Sequence, residues 1–214
     1  MIRRIIIYLI GLLTLAFGTS FTIQSDLGVS PVSSLPFVIS EATSLNIGLM
    51  SALFFTGLVV FQIAILGRKF KWLNLIQLPF VFVFGYFLNF AVWVMYGVQF
   101  PTYFGRLGML AVGIVLIALG IVLMICARII VLPPEALCQA LEQRFERVKF
   151  HKAKMVMDCV IVVLSISISL IFLSELVGVR EGTVISAILI GKIIPYIKKL
   201  IDPIINRILK TPQT

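Results

Sequence analysis

Residues 11–41 read GLLTLAFGTSFTIQSDLGVSPVSSLPFVISE, and residues 113–143 read GIVLIALGIVLMICARIIVLPPEALCQALEQ. Overlaid without a gap, at a shift of 102 residues, they match Gly11 with Gly113, Ala16 with Ala118, Gly18 with Gly120 and Ile23 with Ile125. Val29 with Val131, Pro31 with Pro133 and Leu35 with Leu137 complete the set. In each stretch an apolar run gives way to a proline-headed segment of mixed polarity. A further shift of 106 pairs Gly85 with Gly191. The pattern describes a duplicated unit, repeat one over residues 1–100 and repeat two over 101–214, within a single membrane domain.

Six apolar stretches run through the chain, at about 4–24, 46–67, 73–97, 107–127, 153–176 and 183–205. Each is about the 20 residues a helix needs to cross a bilayer. The last is the weakest, because Lys192, Pro195, Lys198 and Lys199 interrupt it. The expected fold is therefore an all-α polytopic membrane protein. Three crossings per repeat is an odd number, so its two three-helix repeats are expected to be inverted. Such repeats are common in secondary transporters, whose sites lie near the midplane.

Composition agrees. The chain is 60% hydrophobic and 13% charged, with a mean hydropathy of +1.13; soluble domains are about 45–50% apolar and about 25% charged. That excludes a soluble protein, and an aqueous nucleic-acid partner with it, despite a net charge of +9. The cations report topology instead. With the N-terminus in the cytoplasm and six crossings, only Arg106 and Arg180 of the 18 Lys and Arg residues fall outside. Basic residues concentrate on the cytoplasmic side, so both termini are expected there, in a multi-pass plasma-membrane protein. The first run is too long for a signal-peptide core and is read as a retained helix.

Ser30-Pro31 and Leu132-Pro133-Pro134-Glu135 look like helix starts: proline suits the first helical position, Ser30 is a fitting cap, and Glu135 complements the helix dipole. After Pro31, Ser33 and Ser34 lie opposite an apolar face of Val32, Leu35 and Ile39. After Pro133, a stripe of Leu137, Leu141, Phe145 and Val148 opposes Gln139, Glu142, Gln143, Glu146 and Arg147. Both are amphipathic at helical period. They either lie flat at opposite surfaces or dip inward as re-entrant half-helices whose N-terminal N–H groups could hold an anion.

Ionisable residues within crossings are costly and usually functional. Asp158 follows Lys154 by four residues, which suits either an ion pair on one helix face or a coupling carboxylate. Lys192 either snorkels to the cytoplasmic surface, balances an anionic substrate or pairs with a carboxylate. Asn89 can hydrogen-bond between helices. The candidate substrate-binding set is Ser30, Pro31, Ser33, Ser34, Asn89, Pro133, Glu135, Asp158 and Lys192. Cys126, Cys138 and Cys159 lack metal-ligand spacing, and His151 is the sole histidine. No cofactor, metal or enzymatic motif is indicated.

Leu27-Gly-Val-Ser-Pro31, Gln77-Leu-Pro79 with Phe84-Gly-Tyr-Phe87, Glu181-Gly-Thr183 and Ile190-Gly-Lys-Ile193 give the chain a likeness. It resembles the YczE/YyaS/YitT group of bacterial integral membrane proteins over nearly its whole length. The family tends to carry an acidic residue near Asn89, where this sequence departs. The resemblance implies a bacterial inner-membrane protein, often presumed to be a transporter. The functional expectation is a small secondary transporter or permease, by alternating access between inverted repeats, for a small solute that helix N-termini would suit if anionic. The alternatives are a substrate-binding membrane subunit of an energy-coupling-factor-like importer and a non-transporting scaffold docking through residues 133–149. Expected partners are the bilayer, a small solute, and either a second copy or a partner subunit.

Overall fold

The computed structural model describes residues 1–98, 100–145 and 148–209. Glu146 and Arg147 of the second amphipathic segment, and the basic Lys210, lie outside the described residues. Among those described there is no strand. The elements are α1 (Ile2–Gln24), α2 (Pro31–Thr43), α3 (Ile47–Leu66), α4 (Gln77–Val94), α5 (Tyr103–Ala127), α6 (Pro133–Arg144), α7 (Phe150–Ile168) and α8 (Glu181–Leu209). A π-helical turn at Ser169–Leu173 continues α7.

Among the described residues, five helical stretches are long and apolar enough to cross a membrane: Ile2–Gln24, Ile47–Lys69, Trp72–Val94, Tyr103–Ala127 and Phe150–Leu173. Their outward faces carry exposed side chains such as Phe61, Phe82, Val163, Ile171 and Phe172. In water that surface would aggregate; in lipid it has no unmet polar group. The sixth apolar stretch is helical too, within α8. Glu181, Lys192, Lys198, Lys199, Asp202 and Arg207 leave this helix no uncharged run as long as a crossing.

The chain forms two compact units, and neither coincides with a sequence half. The first holds Met1–Ser30, Phe87–Ile129 and the chain from Arg180; the second holds Pro31–Tyr86 and Ile130–Val179.

Within the first unit, α1 and α5 run antiparallel and α8 packs on α5. Small residues let the two backbones touch. A Cβ on Gly11 would lie 3.0 Å from the Gly120 carbonyl oxygen, and one on Gly18 would lie 2.9 Å from that of Gly113. Their partners return the contact: a Cβ on Gly113 would lie 2.9 Å from the Gly18 oxygen, and one on Gly120 would lie 2.7 Å from that of Gly11. Nearby, Ser20 Oγ donates to the Ala91 carbonyl of α4 at 3.1 Å, and Phe17 meets Phe90 edge to face.

Two sequence motifs meet in this unit. After α1 the chain turns through Asp26, at φ 52°, and Gly28, at φ 104°. The Gly182 amide then donates to the Leu27 carbonyl at 2.7 Å. A Cβ on Gly28 would stand 2.6 Å from Thr183 Oγ1 and 2.7 Å from the Arg180 nitrogen. Leu27-Gly-Val-Ser-Pro31 and Glu181-Gly-Thr183 are thus two sides of one contact. Arg106 and Arg180 converge there as well, at 2.9 and 3.4 Å from Asp26 Oδ2. The two cations expected outside therefore share one carboxylate.

Within the second unit, α2 packs on α3 and α7, and α6 packs on the same two helices. Each amphipathic helix buries one face on these neighbours: α2 buries Pro31, Ser34, Leu35, Pro36, Val38 and Ser40, and α6 buries Pro133, Pro134, Leu137, Cys138 and Ala140, while Gln139, Glu142, Gln143 and Arg144 of α6 are exposed. Ala140 sits in a cluster with Leu66 and Phe70.

Candidate functional site

The start of α6 gathers most of the polar chemistry of the second unit. Proline supplies the turn into the helix, and Pro133 with Pro134 occupies its first positions. Glu135 Oε1 lies 4.0 Å from Lys154 Nζ of α7, while Lys154 donates to Asp158 Oδ1 at 3.0 Å. The hairpin that aligns them is pinned where the Phe150 amide, opening α7, donates to Glu142 Oε1 at 3.1 Å. Deeper along it, Cys138 Sγ approaches Met157 Sδ at 4.0 Å. Asp158 lies eight residues after Phe150, about 12 Å along the helix at 1.5 Å per residue. The other oxygen of Glu135, Oε2, is buried with no hydrogen-bond partner.

Two glutamines approach the same helix start. Gln62 of α3 is 1% exposed and Gln77, opening α4, is 2% exposed. Gln62 Nε2 donates to the Pro133 carbonyl at 3.1 Å, and Gln77 Nε2 donates to Gln62 Oε1 at 3.3 Å. Gln77 Oε1 is buried and has no partner.

The start of α2 is simpler. Ser34 Oγ bonds the Pro31 carbonyl at 2.7 Å and meets Ser165 Oγ of α7 at 2.8 Å, and both serines are fully buried. Ser165 also donates to the Ile161 carbonyl. Each proline-headed helix thus begins against a polar residue inside an apolar helix: Gln62 of α3 for α6, Ser165 of α7 for α2.

The expected site residues separate. Glu135 of α6 and Asp158 of α7 are brought together by Lys154, and Pro133 meets Gln62 instead; the Lys154–Asp158 ion pair follows from their spacing. Pro31 and Ser34 are buried at the start of α2, with Ser30 buried just before it and Ser33 half-buried. Asn89 and Lys192 belong to the first unit. Asn89 is half-buried, whereas Lys192 is exposed and faces no ion-pair partner among the described residues. Beside it, a Cβ on Gly191 would meet open space, whereas Gly85 packs on the Gly48 carbonyl. The two glycines therefore have different surroundings.

An anion at the start of α6 is a poor match. Pro133 and Pro134 have no N–H, the Ala136 amide bonds the Leu132 carbonyl at 2.8 Å, and the Glu135 carboxylate stands there itself. As site residues Gln62 and Gln77 escaped the sequence reading, although Gln77 opens the Gln77-Leu-Pro79 motif. Their signal was an amide within an apolar stretch, where a polar side chain needs a partner. Among the described residues no cluster of three or more His, Cys, Asp or Glu could hold a metal ion.

A family of unknown function, DUF6198, matches this chain over residues 2–199. No curated protein and no solved structure matches it.

Proposed function

We propose that this chain, which belongs to the DUF6198 family, is a small secondary transporter built from two inverted repeats, with the α6 cluster as its polar centre. The observation that carries the reading is the glycine crossing of α1 and α5. The 102-residue shift turns the contact of Gly11 with Gly120 into that of Gly113 with Gly18. The pairing is antiparallel and maps onto itself, as a twofold axis across the helices would make it. In the second unit helix partners follow the same exchange, since α2 on α7 becomes α6 on α3. So does the backbone: the left-handed Asp26 and Arg128 stand 102 residues apart, five residues before Pro31 and Pro133.

On this reading α8 is the sixth crossing, and its basic residues lie toward the cytoplasm. α2 and α6 are re-entrant half-helices starting inside the membrane, because irregular backbone is tolerated there only where protein encloses it. Exchange of conformation between the repeats opens the site to each side in turn. The bacterial inner membrane, cytoplasmic termini and the likeness to the YczE/YyaS/YitT group belong to the same proposal.

Two measurements test it. In a cysteine-free background, Leu45→Cys should label only from outside and His151→Cys only from the cytoplasm; labelling from one shared side removes the inverted repeat. For transport, the purified chain in liposomes should move at least one class in a panel of small amines, amino acids and carboxylates down an imposed gradient. Flux no greater than in empty liposomes would favour an importer subunit or a scaffold.

A further inference from the structure

We infer that the Glu135 carboxylate is a proton-binding site, loaded and emptied once per cycle; this rests on the transporter reading. Three observations converge on it.

The first is charge. Glu135, Lys154 and Asp158 together carry two carboxylates and one ammonium. α3, the first turns of α4 and the start of α2 add no ionisable residue, and Cys138 is the remaining titratable group on the packed face of α6. The part-buried cluster is thus one negative charge from neutrality. An uncompensated charge is costly in an apolar setting, and one monovalent cation removes it.

The second is the sense of the unused hydrogen bonds. The Pro133 carbonyl can only accept, so Gln62 must present its Nε2 there and turn its Oε1 toward Gln77. Gln77 must then answer with Nε2. That leaves Gln77 Oε1 facing no donor, and Glu135 Oε2 is in the same condition. Both atoms are acceptors, and Glu135 Oε2 becomes a donor once it is protonated. Amide orientation is usually ambiguous; here the proline carbonyl settles it.

The third is the division of Lys154. Its ammonium is bonded to Asp158 at 3.0 Å but stands at 4.0 Å from Glu135, beyond hydrogen-bond reach. Adding a proton to Glu135 leaves Lys154 and Asp158 as a balanced pair. The proton comes from water onto Oε2 and returns to water, and no other bond changes. A sodium ion would need several oxygens around it, and the Lys154 ammonium already stands between the two carboxylates. A proton meets no such demand.

Infrared difference spectra of the full-length protein in lipid nanodiscs, alternated between acidic and alkaline buffer without any solute, read this directly. The expected result is a protonated-carboxyl carbonyl band, distinct from those of the exposed carboxyls that also titrate, that is lost in Glu135→Gln and retained in Asp158→Asn. If Glu135→Gln fails to fold, Glu135→Asp serves, since it should move the band to a new frequency. A band unchanged in either Glu135 variant overturns the proposal, as does no band in the wild type. Bleaching of the band by sodium chloride but not choline chloride at fixed pH would reassign the site to sodium and also overturn it. Because no solute is present, a failed flux assay leaves the band standing. Solute flux in a chain without the band would keep the transporter and drop the proton.

Discussion

Gly18→Leu should abolish the folded protein, whereas Gly108→Ala, on the partner helix α5, should leave it intact. A Cβ at Gly18 would sit 2.6 Å from the Ile117 amide nitrogen and 2.9 Å from the Gly113 carbonyl oxygen, both backbone atoms that cannot swing aside. At Gly108 a Cβ meets nothing within 4 Å. Overpacking by a single group costs about 1–3 kcal/mol, so Gly18→Ala should already lower the midpoint of thermal unfolding. Leucine adds three further carbons to the same gap and should push α1 off α5. Alanine replaces glycine in a helix with a gain of up to about 1 kcal/mol where space allows, so Gly108→Ala should match or exceed the wild type. Size-exclusion profiles and a thermal ramp in detergent decide it. Equal behaviour of Gly18→Leu and wild type would mean that the two helices do not touch through these glycines.

Lys154→Met should be the most damaging substitution in the second unit. It leaves the part-buried Glu135 and Asp158 carboxylates without a cation; removing one partner of a fully buried pair costs about 3–5 kcal/mol, and this partly exposed cluster should lose a fraction of that. The double variant Lys154→Met with Asp158→Asn should recover much of that loss, since it removes one of the stranded charges. Adding Glu135→Gln should recover most of the remainder. Folded yield and unfolding midpoint across the three variants give the coupling between sites, which is large only for groups in contact. Simple additivity would mean that Lys154 does not hold the two carboxylates together.

Much of the architecture could be read from local pattern. Hydrophobic runs mark the candidate crossings because lipid rewards an apolar surface wherever it lies along the chain. Pro31 and Pro133 mark the starts of α2 and α6 because their lack of an N–H costs nothing at a helix start. Lys154 and Asp158 pair as expected, since four residues on a helix fix their separation. Even the weak anion site at α6 was implicit in Pro133-Pro134, two residues without donors. Lys192 is the counterexample: a mid-helix cation has the same sequence signal whether it faces a partner or open space, and the structure leaves it exposed.

Residue order alone was enough to establish a helical chain whose long apolar runs are compatible with a multi-pass membrane protein. Those properties depend on composition and on spacings of a few residues. Only tertiary structure could bring Glu135 to Lys154, pass a hydrogen-bond chain from Gln77 through Gln62 to Pro133, and gather Arg106 and Arg180 onto Asp26. Each of these joins segments remote in the chain, where no periodicity reaches, and packing alone decides which side chain finds a partner and which oxygen is left without one.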